Sequence, residues 1–257
     1  MRKGLAFLSV GLPFVVLAVA AACGDDPAEN TFPEGKSDAS FESGSFDLDG
    51  SAVDPGPVVC NPALPTQFKP TWTPPVRTAG ACTTAEIGEY YDACLPNFDK
   101  QPCLDWLAAH EDCGACIQKE DNSGAVQVFK EPAPIYRFNQ GGCIALVQNK
   151  TGEDSCGAAF EAATECRRVS CDDCLAKGGV FGNNAAECVG KPEPTTYICC
   201  QQKSVGAGCK RYEDSQDQAC GAGYNTNVDG GAPDCFRKSP ESEKDLYVRG
   251  IGIFCGE

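Results

Sequence analysis

The sequence predicts a mainly α-helical domain with a few short β-strands, disulfide-rich and built from tandem helical-hairpin modules. Three observations predict it. Nineteen of the 257 residues are cysteine, a density at which a disulfide scaffold is the first expectation. Apolar residues recur at helical spacing in several segments. Two of those segments share a pattern, Cys103-x9-Cys113 and Cys156-x9-Cys166, with Leu107 and Phe160 at the same offset. Each is followed by a Cys-x2-Cys pair, Cys113 with Cys116 and Cys171 with Cys174. Cys209-x10-Cys220 reads as a degenerate third copy, so tandem units are expected at about 82–142, 143–199 and 200–257.

Taken from the N-terminus, Arg2 and Lys3 precede an uncharged run from Leu5 to Ala22. A basic start, an apolar stretch and small residues at its end make a secretory signal over residues 1–22. The competing reading is a retained membrane helix, but 18 residues is short for spanning and Gly11 and Pro13 interrupt the run. Residues 24–58 hold nine acidic residues, one lysine and no cysteine, and 14 of the 35 are Gly, Ser or Pro. Such a segment buries too little apolar surface to offset its ordering entropy, so residues 23–58 are expected to be a disordered acidic tether with a reach of roughly 30 Å. Asp47-Leu48-Asp49-Gly50 and Asp54 sit in it. They fail the calcium-loop pattern, because the glycine comes two positions early and the closing glutamate is missing.

The body is expected over residues 59–257. The Pro-rich stretch from Cys60 to Pro75, with Trp72, should lie along its surface as extended chain if Cys60 pairs within the body. Thr83-Thr84-Ala85-Glu86 is a capping box, followed by Ile87, Tyr90, Tyr91 and Cys94 on one helical face and by Pro96 as a stop. A second helix fits Pro102 to Cys113, with proline in its first turn and Gly114 beyond its end. A third fits Asp154 to Arg168, and weaker ones fit Ile144 to Lys150 and Lys210 to Cys220. Short strands are expected at Ala125–Phe129, Thr195–Cys199 and Leu246–Phe254, where β-branched and aromatic residues stand among Gly and Pro.

Spacing restricts the pairing of cysteines. Positions ten apart on one helix lie about 15 Å apart along its axis, whereas bridged Cα atoms lie within about 7 Å. Cys103 therefore cannot bond Cys113. The expected first module is a hairpin with Cys94 bonded to Cys103 and Cys82 to Cys113 or Cys116, holding Ile87 and Tyr91 against Leu104 and Leu107. By analogy Cys143 should lie near Cys166 or Cys174. Adjacent Cys199 and Cys200 should take separate partners.

Candidate chemistry is sparse. Cys113-Gly114-Ala115-Cys116 invites a redox reading, which needs a helix N-terminus beneath the thiol. Here the motif is expected to end a helix, with Glu111 and Asp112 beside it, and Cys171-Asp172-Asp173-Cys174 encloses acids. Zinc knuckles stand 15 to 20 residues apart, against 54 between Cys116 and Cys171, so no metal or cofactor is expected. His110 is the one histidine; its readings are a general base or a stripe residue beside Trp106. Tyr90, Tyr91, Trp72 and Trp106 are candidates to line a ligand groove, with core packing as the competing use. Neither a phosphate loop nor a Gly-x-Ser-x-Gly elbow occurs. A net charge of −15 argues against a nucleic-acid binder built on basic patches.

Ala20-Ala21-Ala22 before Cys23 resembles a bacterial lipobox, with Ala20 standing where leucine is more typical. Ala20-x-Ala22 also suits ordinary signal cleavage. Parity separates the two: an odd thiol in an exported chain invites mispairing. Setting Cys23 aside as the lipidated residue leaves an even set for disulfides: Cys60, Cys82, Cys94, Cys103, Cys113, Cys116, Cys143, Cys156, Cys166, Cys171, Cys174, Cys188, Cys199, Cys200, Cys209, Cys220, Cys235 and Cys255. On those features the chain resembles cysteine-rich bacterial lipoproteins. The resemblance implies export and a lipid anchor at the outer membrane or surface of a Gram-negative cell, or secretion otherwise. It implies no activity. In spacing alone, the Cys-x9-Cys segments also resemble twin Cys-x9-Cys helical hairpins. The expected function is a rigid surface domain for binding or adhesion. Its expected partners are the membrane, through lipid, and a protein or glycan ligand. The alternative is a carboxylate-based hydrolase, and a third reading is a scaffold without a specific ligand.

Overall fold

Capping chemistry starts the first helix where the sequence places it. The Thr83 hydroxyl accepts the Glu86 N–H, and the Glu86 carboxylate accepts the Thr83 N–H. Helix α1 (Thr84–Cys94) then buries Ile87, Tyr90 and Cys94. These features come from a computed structural model, which describes residues 58–130, 135–180, 188, 194–226 and 231–257. The expected signal 1–22, Cys23, the tether through residue 57 and its Asp47–Asp54 stretch lie outside the described residues.

Pro102 sits in the first turn of α2 (Gln101–Ala109). The single helix expected over 102–113 is interrupted at His110, whose φ of −131° and ψ of 55° leave the helical region. Helix α3 (Glu111–Ile117) then starts afresh, its direction held by disulfides from Cys113 to Cys82 and from Cys116 to Cys255. Cys113 therefore lies in the opening turn of a helix, not at the end of one as expected. It is already bonded to Cys82, and the two cysteines of this Cys-x2-Cys are not bonded to each other.

Strands β1 (Val126–Phe129) and β2 (Ile135–Phe138) pair antiparallel, Val126 opposite Phe138 and Phe129 opposite Ile135. Helix α4 (Gln140–Val147) begins at Asn139, whose side chain accepts the Gly142 N–H. Helix α5 (Cys156–Val169) begins at Ser155. Short α6 (Asp172–Ala176) follows, then α7 (Tyr197–Ser204), a π-turn over Val205–Cys209 and α8 (Lys210–Cys220). The last element is α9 (Glu243–Cys255).

Two expected strands are helices. Thr196 accepts the Cys199 N–H and opens α7 inside the stretch 195–199. For 246–254, Ser242 and Asp245 form a second capping box that opens α9. Tyr247, Ile251 and Phe254 then fall on one helical face and are buried. The β-branched residues there are read by tertiary packing, which overrides their strand preference.

All 18 body cysteines are paired, in nine disulfides with Cα separations from 4.4 to 5.9 Å. Cys94–Cys103 closes the turn between α1 and α2, and Cys82–Cys113 closes the open end. A second hairpin joins α5 to α8 by the same device. Cys156 bonds Cys220 and Cys166 bonds Cys209, so the start of each helix meets the end of the other. Cys199 and Cys200 take separate partners, Cys188 and Cys171.

The pairing expected for Cys143 is corrected: it bonds Cys235, next to α9. The second hairpin draws its helices from two of the expected units, 143–199 and 200–257, so analogy with the first misplaced the partner. Disulfides Cys116–Cys255, Cys143–Cys235, Cys156–Cys220, Cys166–Cys209 and Cys171–Cys200 all cross the expected unit boundaries. The described residues of the body accordingly form one compact unit from residue 58 to 257. Packing inside the first hairpin also differs. Tyr90, not Tyr91, meets the second helix, its ring edge-on to Trp106 with centroids 5.3 Å apart. Leu104 is 49% exposed.

Residues 58–82 run over the surface as an extended strap, tied by Cys60–Cys174. Backbone N–H groups of Thr78, Gly80 and Cys82 donate to the carbonyls of Phe254, Gly256 and Cys255, and the Trp72 indole donates to the Thr151 carbonyl. Helix α9 lies against α1, α3, α4 and β2. At the α9–β2 contact the backbone of Gly250 presses on the Phe138 ring.

Two predictions follow from this packing. Non-reducing peptide mapping should join Cys116 to Cys255 and Cys143 to Cys235, with no free thiol among residues 58–257; a Cys143–Cys166 or Cys143–Cys174 peptide contradicts the fold. Gly250→Ala should lower stability by about 1–3 kcal/mol through overpacking on Phe138. Gly252→Ala, whose added methyl meets nothing within 4 Å, should raise it by about 0.5–1 kcal/mol. Thermal melts of both variants moving in the same direction would count against this placement of α9.

Candidate functional site: a cleft lined by tyrosines

The C-terminal end of α1, the first turns of α9 and strand β2 meet around an open cleft of about 450 Å³, within the range of ligand pockets. Tyr91, Tyr136 and Tyr247 line it, with Leu95, Pro96, Asp92 and Glu243. Helical spacing explains three of these positions. Tyr91 follows Tyr90 on α1, so when Tyr90 enters the core Tyr91 turns toward α9. Glu243 and Tyr247 are four apart on α9 and share a face.

The rings hold one another. Tyr91 and Tyr247 meet edge to face with centroids 5.5 Å apart, and Phe98 stacks on Tyr136. Hydroxyl partners fix the orientations. Tyr136 donates to the Asp99 carboxylate at 2.8 Å. The Tyr247 hydroxyl accepts the Phe138 N–H at 3.2 Å. Lys244 bridges both oxygens of Asp92 at 2.6 and 2.7 Å, and its ammonium lies 5.8 Å from the centre of the Tyr91 ring.

Burial pushes the Tyr247 phenol up to about 12, with the Glu243 carboxylate adding to it. Tyr136 is raised by burial and by Asp99, and Tyr91 by burial, Glu243 and Asp92. All three phenols are neutral at physiological pH. The cleft offers aromatic faces, hydroxyl donors and negative charge; it holds no activated nucleophile.

His110 is elsewhere. Its ring stacks on Trp106 with centroids 4.4 Å apart, and Nδ1 lies 3.0 Å from the Trp106 carbonyl. Nε2 is 3.8 Å from a Glu89 carboxylate oxygen. The hollow beside it is lined by Ala81, Glu86, Ala108, Ala109, Glu111, Asp112 and disulfide-bonded Cys113. No hydroxyl or free thiol in that lining awaits a base.

A third cluster joins β1, β2, α5 and α6. The Arg137 guanidinium pairs with Glu161 and donates to Gln127 at 2.7 Å. Arg168 donates to Asp172 at 3.0 Å. Both guanidiniums lie over the Phe129 ring, at 4.9 and 4.4 Å. Glu165 accepts the Thr71 N–H at 2.8 Å and so ties down the strap. Desolvation raises the carboxyls of Glu165 and Asp172, opposed by these partners. Neither carboxyl lines the tyrosine cleft or the His110 hollow.

Of the expected groove residues, Tyr91 lines the cleft, Tyr90 and Trp106 are core, and Trp72 anchors the strap. Tyr136, Tyr247, Asp92 and Glu243 were missed. The Ser242–Asp245 capping box is the signal that would have placed Glu243 and Tyr247 together. Among the described residues, no group of three or more His, Cys, Asp or Glu side chains is arranged to hold a metal ion. No described helix is long and apolar enough to cross a membrane. No family model matches the chain, and neither a curated protein nor a solved structure matches it.

The raised carboxyls set a pH dependence. A carboxyl whose folded pKa exceeds its unfolded value favours the fold when protonated. That contribution is present below the ordinary carboxylate range and is lost as pH rises through the folded pKa. Glu165→Gln keeps the acceptor for Thr71 N–H and removes the titration. The variant should melt higher than the parent at pH 7 and alongside it at pH 4. A variant that melts lower at pH 7 would show Glu165 to be a net stabilising charge.

Proposed function

We propose that this chain is an exported, lipid-anchored envelope protein whose disulfide-bonded domain binds a protein or glycan ligand, without catalysis. The observation that carries the reading is the cleft of Tyr91, Tyr136 and Tyr247, rigid and aromatic, with every phenol neutral. Large ring area on two torsions binds at small entropic cost. Nine disulfides belong to an oxidising compartment, which agrees with the signal-like residues 1–22 and with Cys23 as anchor. Acyl chains contribute about 0.8 kcal/mol per buried methylene, so two or three hold a protein firmly at a bilayer. The outer membrane or cell surface of a Gram-negative bacterium is the site this reading assigns. Binding is preferred to carboxylate hydrolysis because Glu165 and Asp172, the raised carboxyls, are engaged by Thr71 and Arg168 away from the cleft.

Two measurements test it. Mass spectrometry of the mature N-terminus should find Cys23 carrying lipid; a free Ala21 or an unmodified Cys23 overturns the anchor. The mature chain in detergent should then be titrated with basic, acidic and neutral peptides and with neutral oligosaccharides. At least one class should bind, and Tyr91→Ala should weaken it by about tenfold, the loss of one good aromatic contact. If nothing in the panel binds, or the variant binds as well as the parent, the cleft is not the binding face.

A further inference from the structure

We propose that the tyrosine cleft recognises an alkylammonium group, the side chain of a lysine on a basic partner segment. The proposal rests on the binding reading above and names its ligand chemistry. Its basis is a cation that the domain already holds against two residues of the cleft wall. The Lys244 ammonium sits between both oxygens of Asp92 and over the Tyr91 ring. Carboxylate beneath and phenol face beside is the arrangement in which an ammonium gains from both ion pairing and the ring quadrupole.

Lys244 satisfies only part of the cleft's charge. Glu243, its neighbour in the first turn of α9, lines the cleft and has no cationic partner among the described residues. Its charge bears on both Tyr91 and Tyr247. Asp99, outside the lining, accepts a hydrogen bond from the Tyr136 hydroxyl. The cleft is thus short of positive charge beside its tyrosine rings. A neutral sugar laid over Glu243 would remove water from a carboxylate without replacing its charge, which is costly. An ammonium replaces it. A divalent cation would favour several converging carboxylates, and no group of three or more His, Cys, Asp or Glu side chains among the described residues is arranged to hold one. The chain's net charge of −15 adds a long-range attraction for basic partners.

The test uses the mature chain in detergent and two probes, acetyl-Ala-Lys-Ala-amide and the same peptide with its lysine ammonium acetylated. The lysine peptide should bind, and the acetylated one at least about tenfold more weakly, since it keeps the shape and loses the charge. Glu243→Gln should weaken binding about threefold, and raising salt from 0.05 to 0.5 M should weaken it further. Lys244→Met should strengthen it about threefold, because the resident ammonium competes. Glu243 is outside the Ser242–Asp245 cap, so the fold should survive its change, which circular dichroism checks. Equal binding of both peptides, or weaker binding in Lys244→Met, overturns the proposal. A neutral oligosaccharide that binds in the cleft and is lost in Tyr91→Ala overturns the cation and leaves the binding reading intact. Binding by neither class overturns both.

Discussion

Cystine is the interior of this protein. Sixteen of the 33 buried apolar residues among those described are cysteines, so the core is made of cross-links as much as of side chains packed on one another. Its described α-helices run from five to 14 residues, and helices of that length are marginal without tertiary support. Each disulfide removes conformations from the unfolded chain and typically contributes about 2–4 kcal/mol. That constraint explains how long irregular segments can be tolerated. The strap over 58–82 has no regular secondary structure of its own, yet Cys60–Cys174 holds one end and Cys82–Cys113 the other.

The same cross-links make the cleft rigid. Its α1 wall ends at Cys94, bonded to Cys103, one residue before Leu95. Its α9 wall is fixed at the opposite end of the helix by Cys116–Cys255. Between these anchors Tyr247 is held by the Phe138 N–H, which links the cleft to the β-hairpin. Tyr91, Tyr136 and Tyr247 are therefore held in place before any binding event, and a ligand of the proposed kind would cost little rotamer entropy.

Charge is divided by burial. The arginines of the β-hairpin and α5 are drawn inward, where Glu161 and Asp172 compensate them and Phe129 lies against both. Removing one partner from such a cluster leaves a buried charge uncompensated, which costs more than the pair contributes. Around the cleft the carboxylates face water instead. There Lys244 is the local cation, and the balance is negative. The buried ion cluster and the one at the cleft thus differ in solvent access and in their cations, arginines in the first and a lysine in the second.

Local rules were enough for part of this architecture. Residues 83–94 carry their own start signal, apolar face and stop, so α1 was legible. The bond Cys94–Cys103 follows from a short loop between two helix ends, and the exclusion of Cys103–Cys113 from helical rise alone. Other features depended on partners far along the chain. Leu246–Phe254 carries β-branched and aromatic residues that suit a strand, and the Ser242–Asp245 cap together with packing against α1, α4 and Phe138 makes it a helix. The break at His110 is held by Cys82 and Cys255, which lie 31 and 139 residues from their partners on α3. Tyr136 and Tyr247 became one site through that long-range folding, since nothing in their own neighbourhoods says they meet. Cysteine number, parity and helix spacing determined by themselves that the domain would be helical and fully cross-linked. Which cysteine meets which beyond the first hairpin, and where the tyrosines gather, is set by contacts between distant segments, and period and propensity do not encode such contacts.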